Sequence, residues 1–337
     1  NFFKIKTIPK DLPKYIIKNR IYKIGYDPRL FTSKMLFTLF EKSKCKLIPV
    51  TTNLIDRIRN TKQHTNIKKF YSLPDKSVGY SFQKKIKKVV EVIKKSGADL
   101  QFISSCENSA WLLNIRGEDS LYSPIPHCYI LLDRNYNVNF FCDLKKISLI
   151  LKRKYKKINF IDIKSVNFFL SSIKNKKFLI DAKTCSKFFE SIISKNNKIV
   201  GNYDSIYDHK SIKTQIEINN IKKAHIYDGV ALTKYLFWVK NNFLKKKITE
   251  IGAEKKLLNF RKKNKNFKFS SFPTISGTGP NGAIIHYKAT QKTNRKLEKG
   301  DLYLVDSGGQ YSYGTTDVTR TLSLKNTKRE IKNIFTR

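Results

Sequence analysis

Leu302-Tyr303-Leu304-Val305-Asp306-Ser307-Gly308-Gly309-Gln310-Tyr311-Ser312-Tyr313-Gly314-Thr315-Thr316-Asp317-Val318-Thr319-Arg320-Thr321 reads as two strands joined by a turn. An apolar run leads in, glycines and polar residues fill the middle, and a β-branched run leads out, which is the chemistry of a hairpin. A turn centred near Tyr311-Ser312 faces Asp306 to Asp317, with Cβ atoms about 4.5 to 5.5 Å apart. Two carboxylates at that distance repel unless a proton or cation lies between them. Hard oxygen ligands on neighbouring strands suit a pair of divalent ions about 3.5 to 4 Å apart. Aspartate beside glycine is also a common turn cap. Val305 and Val318, however, set both aspartates beside strand residues and away from the loop tip.

Working upstream, the loop Gly277-Thr278-Gly279-Pro280-Asn281-Gly282 precedes the apolar run Ala283-Ile284-Ile285, expected as a strand, and then His286. The loop is no phosphate cradle, because no Gly-Lys-Ser/Thr follows and no helix is expected after it. Before it, Lys213 to Asn242 predicts a long helix with Ile218, Ile221, Ala224, Asp228, Ala231 and Tyr235 on one face, and a second helix follows Thr249. His225 and Asp228 lie about one turn apart, and a packing role fits them better than a metal site. Taken alone, His286 after three apolar residues reads as a core histidine.

Further upstream, Ile86, Val89, Val90 and Ile93 recur at helical spacing from Phe82 to Lys95, with Gly97 placed to end the helix. Short apolar runs at Leu100 to Ile103, Tyr129 to Leu132, Val138 to Cys142 and Phe178 to Ile180 then alternate with helical stretches, as in an α/β layer. The segment Gly201 to His209 is expected as a polar linker. Ile24 to Pro28 reads as a strand meeting a turn before a helix through Phe37 and Leu39. Three domains follow: 1–75, 76–210 and 211–337. The class is α/β (α+β).

The chain of 337 residues is 40% hydrophobic and 12% aromatic, enough apolar surface for packed domains. Its formal charge of +42 would ordinarily suggest a nucleic-acid partner. The lysines are spread along the chain, as in Ile173-Lys174-Asn175-Lys176-Lys177, so solvated surfaces account for them and nucleic acid is not the expected partner. No apolar run reaches 18 residues, so no membrane span is expected. Cys45, Cys106, Cys128, Cys142 and Cys185 contain no C-x-x-C pair and read as buried thiols in a reducing cytoplasm.

Asp306-Ser307-Gly308-Gly309-Gln310-Tyr311 followed by Gly314-Thr315-Thr316-Asp317-Val318-Thr319-Arg320-Thr321 closely resembles the metal-binding hairpin of the aminopeptidase P family, pita-bread metallopeptidases. Ser276 to Tyr287 resembles the family's loop bearing a substrate-side histidine. Ala224 to Leu232 resembles its first catalytic-domain helix, and Ala110 to Gly117 part of its creatinase-like region. The resemblance implies creatinase-like N-terminal domains before a pita-bread domain. It also implies hydrolysis of N-terminal Xaa-Pro bonds by a hydroxide held between two divalent ions, manganese by expectation. Asp306 would bind one ion, Asp317 would bridge both, His286 would stabilise charge on the scissile amide or shuttle a proton, and Arg116 would reach toward substrate or a neighbouring subunit, a salt-bridged structural arginine being the alternative. The implied partners are peptides with proline second and a second copy in a homodimer; the implied location is cytoplasmic.

In that family one histidine and two glutamates complete the site downstream. Here His286 is the last histidine, and Glu330 is the only acidic residue after Asp317. Two of the five expected ligands are therefore present. The expectation is a fragment of an active enzyme, incomplete at both ends and itself inactive. The alternative is an inert pita-bread module that binds peptide or nucleic acid.

Overall fold

The computed structural model describes residues 11–58, 68–201, 203–325 and 327–336. The opening segment 1–10, expected to be polar and Pro-containing, lies outside them. The chain forms two compact units. The first takes 1–73, 80–118 and 125–212, and the second takes 74–79, 119–124 and 213–337.

The first unit is organised by a six-stranded mixed sheet. Its strands are β1 (Leu100–Ile103), β2 (Cys128–Asp133), β3 (Val138–Cys142), β4 (Ile158–Asp162), β5 (Lys177–Leu179) and β6 (Lys198–Gly201), in the spatial order β6-β5-β1-β2-β3-β4. Helix α1 (Phe82–Lys95) begins where the Ser81 side chain accepts the Lys84 N–H, and it buries Ile86, Val89, Val90 and Ile93. Gly97, with φ +69°, follows its end, since only glycine holds that conformation without steric cost. Continuous apolar runs such as Ile130-Leu131-Leu132 are buried from both sides, with Ile130 and Leu132 in one core and Leu131 in another.

The segment expected as a polar linker belongs to this core. Residues Ile206–Ser211 form a helix, Ile206 is fully buried, and the Asp204 side chain accepts from Gln101 Nε2 at 2.8 Å and Asn108 Nδ2 at 2.7 Å. Buried amide partners absorbed a polarity that reads as solvent exposure in the sequence. The cysteines split: Cys128, Cys142 and Cys185 are buried, whereas Cys45 and Cys106 are only half-buried.

In the second unit, helix α2 (Gln215–Asn242) starts with a capping box between Thr214 and Glu217. Helix α3 (Glu250–Lys262) starts with Thr249 accepting the Gly252 N–H. Strands β7 (Phe267–Ser270), β8 (Ile275–Thr278), β9 (Leu302–Ser307), β10 (Gly309–Tyr311), β11 (Gly314–Thr315) and β12 (Val318–Ser323) follow. They build two antiparallel three-stranded sheets, β8-β9-β12 and β7-β10-β11. Tyr303 and Val305 on one face of β9 pack with Tyr235, Val239 and Leu257 of the helices. Leu304 and Asp306 take the other face, because side chains alternate along a strand.

Ala283-Ile284-Ile285 is not a strand. A 3₁₀ turn spans Gly279–Ala283, and Ile285 is 86% exposed. No described strand pairs with residues 283–285, so apolar sequence alone did not make them a strand.

Candidate functional site

The hairpin exists, with a register different from the one its sequence suggests. Tyr311 pairs with Gly314, so the turn is centred on Ser312-Tyr313, and Asp306 faces Thr319. Asp317 lies just before β12. A change of two residues in pairing leaves every side chain on its own face. Extending the strand alternation back by one residue therefore puts Asp317 on the face of Asp306, diagonal to it at about 7 to 8 Å. Gly314 lets this turn lie close against α2: a Cβ there would lie 2.7 Å from the Ala224 Cβ.

The transition between β9 and β10 is tight. A Cβ on Gly308 would lie 2.0 Å from the Thr316 carbonyl oxygen and 2.1 Å from Ser271 Oγ. Gly309 N–H donates to Thr316 Oγ1 at 2.9 Å, and Thr316 N–H donates to Gly309 O at 3.0 Å. These bonds fix the strand step between the two aspartates.

Asp306 is half-buried, and its Oδ1 is fully enclosed without a hydrogen-bond partner. A buried acceptor left unsatisfied costs about 1 to 3 kcal/mol, more when charged. A cation removes that cost, so this oxygen fits a hard divalent ion. Asp317 is exposed. No group of three or more His, Cys, Asp or Glu side chains converges on one point among the described residues.

His286 sits in a turn with φ +54° and is exposed. Its loop is fixed by a carboxylate that sequence reasoning missed. Glu250, the first residue of α3, has no exposed surface. Its Oε1 accepts the Thr278 N–H at 2.8 Å and Asn281 Nδ2 at 3.1 Å, and its Oε2 accepts the Tyr287 O–H at 2.9 Å and the Arg295 N–H at 3.0 Å. Glu250 thus ties down both sides of the segment that carries His286. Among the described residues, no hydrogen bond or ion pair joins His286, Asp306 and Asp317 to one another.

Behind the hairpin lies a buried ion pair. Arg261 of α3 grips Asp228 of α2 with Nε at 2.7 Å and Nη2 at 3.0 Å, and Nη2 also donates to Ser307 Oγ at 3.0 Å. The Tyr311 O–H donates to Asp228 Oδ1 at 2.9 Å. Burial and then the neighbouring Asp228 carboxylate push the Tyr311 hydroxyl well above its ordinary pKa. The packing role expected for Asp228 is borne out, whereas His225 is exposed on α2 beside the Ile221 carbonyl; Arg261, Ser307 and Tyr311 escaped the sequence because their partners lie 33 to 83 residues away. The only sequence signal was an aspartate on the apolar face of α2.

Arg116 belongs to the first unit, in a two-residue strand paired with Tyr71–Ser72. Its Nη1 donates to the carbonyls of Ala110 at 2.8 Å and Ile115 at 3.0 Å. Those contacts hold the guanidinium at the end of the helix Cys106–Leu113.

Comparison with known proteins gives residues 61–217 as a Creatinase/Prolidase N-terminal domain and residues 219–337 as metallopeptidase family M24. Xaa-Pro aminopeptidase 1 of Dictyostelium discoideum is 36% identical over 331 residues, covering 93% of this chain and 52% of that protein. Xaa-Pro aminopeptidase ApepP of Drosophila melanogaster is 32% identical over 341 residues, covering 98% of this chain and 54% of that protein. The solved X-prolyl aminopeptidase of Caenorhabditis elegans, a cytosolic enzyme with a di-nuclear active site, superposes with a TM-score of 0.86 at 24% identity. It covers 95% of this chain and 54% of the other. The chain spans about half the length of the curated relatives it matches.

Proposed function

The chain belongs to metallopeptidase family M24, in the branch that carries a Creatinase/Prolidase N-terminal domain, and from that premise we propose that the protein containing it is a Xaa-Pro aminopeptidase. The observation that carries the reading is the enclosed, unpartnered Oδ1 of Asp306 on a hairpin inside the M24 segment. Asp306 and Asp317 would hold divalent ions, with manganese the expected metal. Such ions supply Lewis-acid polarisation of a carbonyl and a hydroxide at neutral pH.

The chain's own residues do the remaining work in this reading. His286 donates or accepts a proton at the scissile amide and stabilises charge there. Glu250 orients the loop that presents it. The Asp228–Arg261 pair keeps the strand step at Ser307 rigid, so that the two aspartates stay in place. Arg116 completes the reading as a substrate-side residue, supported by the likeness of its segment to the creatinase-like region. The substrates are peptides with proline second, the assembly is a homodimer, and the location is cytoplasmic. No described helix is long and apolar enough to cross a membrane. Domain limits at 1–75, 76–210 and 211–337 belong to the same proposal.

The test is release of the N-terminal residue from an Xaa-Pro peptide by the manganese-loaded protein that contains this chain. Asp317→Asn is expected to abolish activity and lose one or both ions. Full metal content in that variant would overturn the assignment.

A further inference from the structure

A cavity of about 470 Å³ opens at the tip of the hairpin, entirely within the second unit. Its aromatic side is made by Tyr227 of α2 and Tyr311, whose ring centres lie 6.2 Å apart at 44°, and by Tyr313. Its polar side carries Lys76, Lys223 and Lys265, and no acidic residue lines it. Lys223 Nζ lies 6.0 Å from the Tyr227 ring centre, which sets a cation and an aromatic surface one helical turn apart on the same wall.

The walls are already fixed. The Tyr311 hydroxyl is committed to Asp228, Asn220 Nδ2 donates to the Ser77 carbonyl at 2.8 Å, and Ser312 N–H donates to Asn266 O at 2.9 Å. The volume lies in the range of small-molecule sites, about 300 to 1,000 Å³. Lys76, Lys223 and Lys265 are exposed on the rim of one concavity, so an anion seated there meets three cations. Tyrosine rings offer stacking surface to a planar group.

We propose that the cavity binds a small molecule joining a planar ring to a phosphate, as a nucleoside monophosphate does. The ring contacts Tyr227 and Tyr313, and the phosphate lies among Lys76, Lys223 and Lys265. The proposal is independent of peptidase activity, because it uses neither the aspartates nor His286.

Equilibrium dialysis of the protein that contains this chain against adenosine monophosphate and phenyl phosphate tests it, with adenosine and inorganic phosphate as probes of each half. At least one of the joined ligands is expected to bind tenfold or more tightly than either half. Lys223→Ala with Lys265→Ala, and separately Tyr227→Ala, should each weaken that binding at least tenfold. Lys174→Ala with Lys176→Ala removes the same charge from another lysine-lined basin, in the first unit, and should leave binding unchanged. Circular dichroism confirms folding of each variant. The proposal is overturned if neither joined ligand exceeds its halves, or if the two double variants weaken binding equally.

Discussion

Asp228 and Arg261 meet at 2.7 Å with each side chain 1% exposed, joining helices α2 and α3 of the second unit beneath the hairpin that carries Asp306. Removing one partner of a buried pair strands a charge, which costs about 3 to 5 kcal/mol. Asp228→Ala and Arg261→Ala should each lower the unfolding free energy of the second unit, read by urea titration, by that amount. The double variant should cost less than the sum of the two. Additive losses would show that the pair is not coupled.

Asp306 makes the opposite prediction. Its enclosed Oδ1 has no partner, so Asp306→Asn should leave metal-free stability unchanged or raise it by about 1 kcal/mol. The same variant should weaken manganese binding at least tenfold. Urea titration and calorimetric manganese titration read the two effects separately, and a metal-free loss of stability would refute this account of the oxygen.

Glu250 accepts bonds from Thr278, Asn281, Tyr287 and Arg295. Glu250→Ala removes the carboxylate acceptor from the Thr278 and Arg295 N–H groups, at about 1 to 3 kcal/mol for each one that stays buried, while Asn281 and Tyr287 keep the Thr293 carbonyl. Limited proteolysis should cut faster between 278 and 295 in that variant, with Glu250→Gln intermediate. Unchanged cutting would mean that the loop is held by other contacts.

Gly308→Ala would drive a Cβ to within 2.0 Å of the Thr316 carbonyl oxygen. Because that atom is backbone, relief requires the strand step itself to move, at a cost of about 1 to 3 kcal/mol or more. Chemical denaturation checks the cost, and manganese titration checks whether the two aspartates move with it.

Asp204 sets a pH dependence in the first unit. Burial pushes its carboxyl above the ordinary value of 3.8, against hydrogen bonds from Ile206 N–H, Asn108 and Gln101 that pull it down. A carboxyl raised in the folded state contributes stability below 3.8 and loses it as pH climbs through the raised folded value. The stability of Asp204→Asn relative to the natural chain should therefore rise with pH across that window and level off above it. Urea midpoints from pH 3.5 to 7 measure the difference, and a flat difference would contradict the assigned direction.

Local chemistry determined much of this protein by sequence alone. The periodicity of Phe82 to Lys95 and the cap at Thr249 became helices, the apolar runs from Leu100 to Cys142 became sheet strands, and Asp306 with Asp317 marked the hairpin. The tertiary structure decided what local pattern cannot carry. Pairing of Tyr311 with Gly314 set the hairpin register two residues away from the expected one, and Ile284 and Ile285 follow a 3₁₀ turn with no described strand paired to them. Contacts across 28 to 83 residues gave Glu250 and Asp228 their partners. Periodicity and caps act within a few residues, whereas burial, register and ion pairing depend on which distant segment arrives opposite.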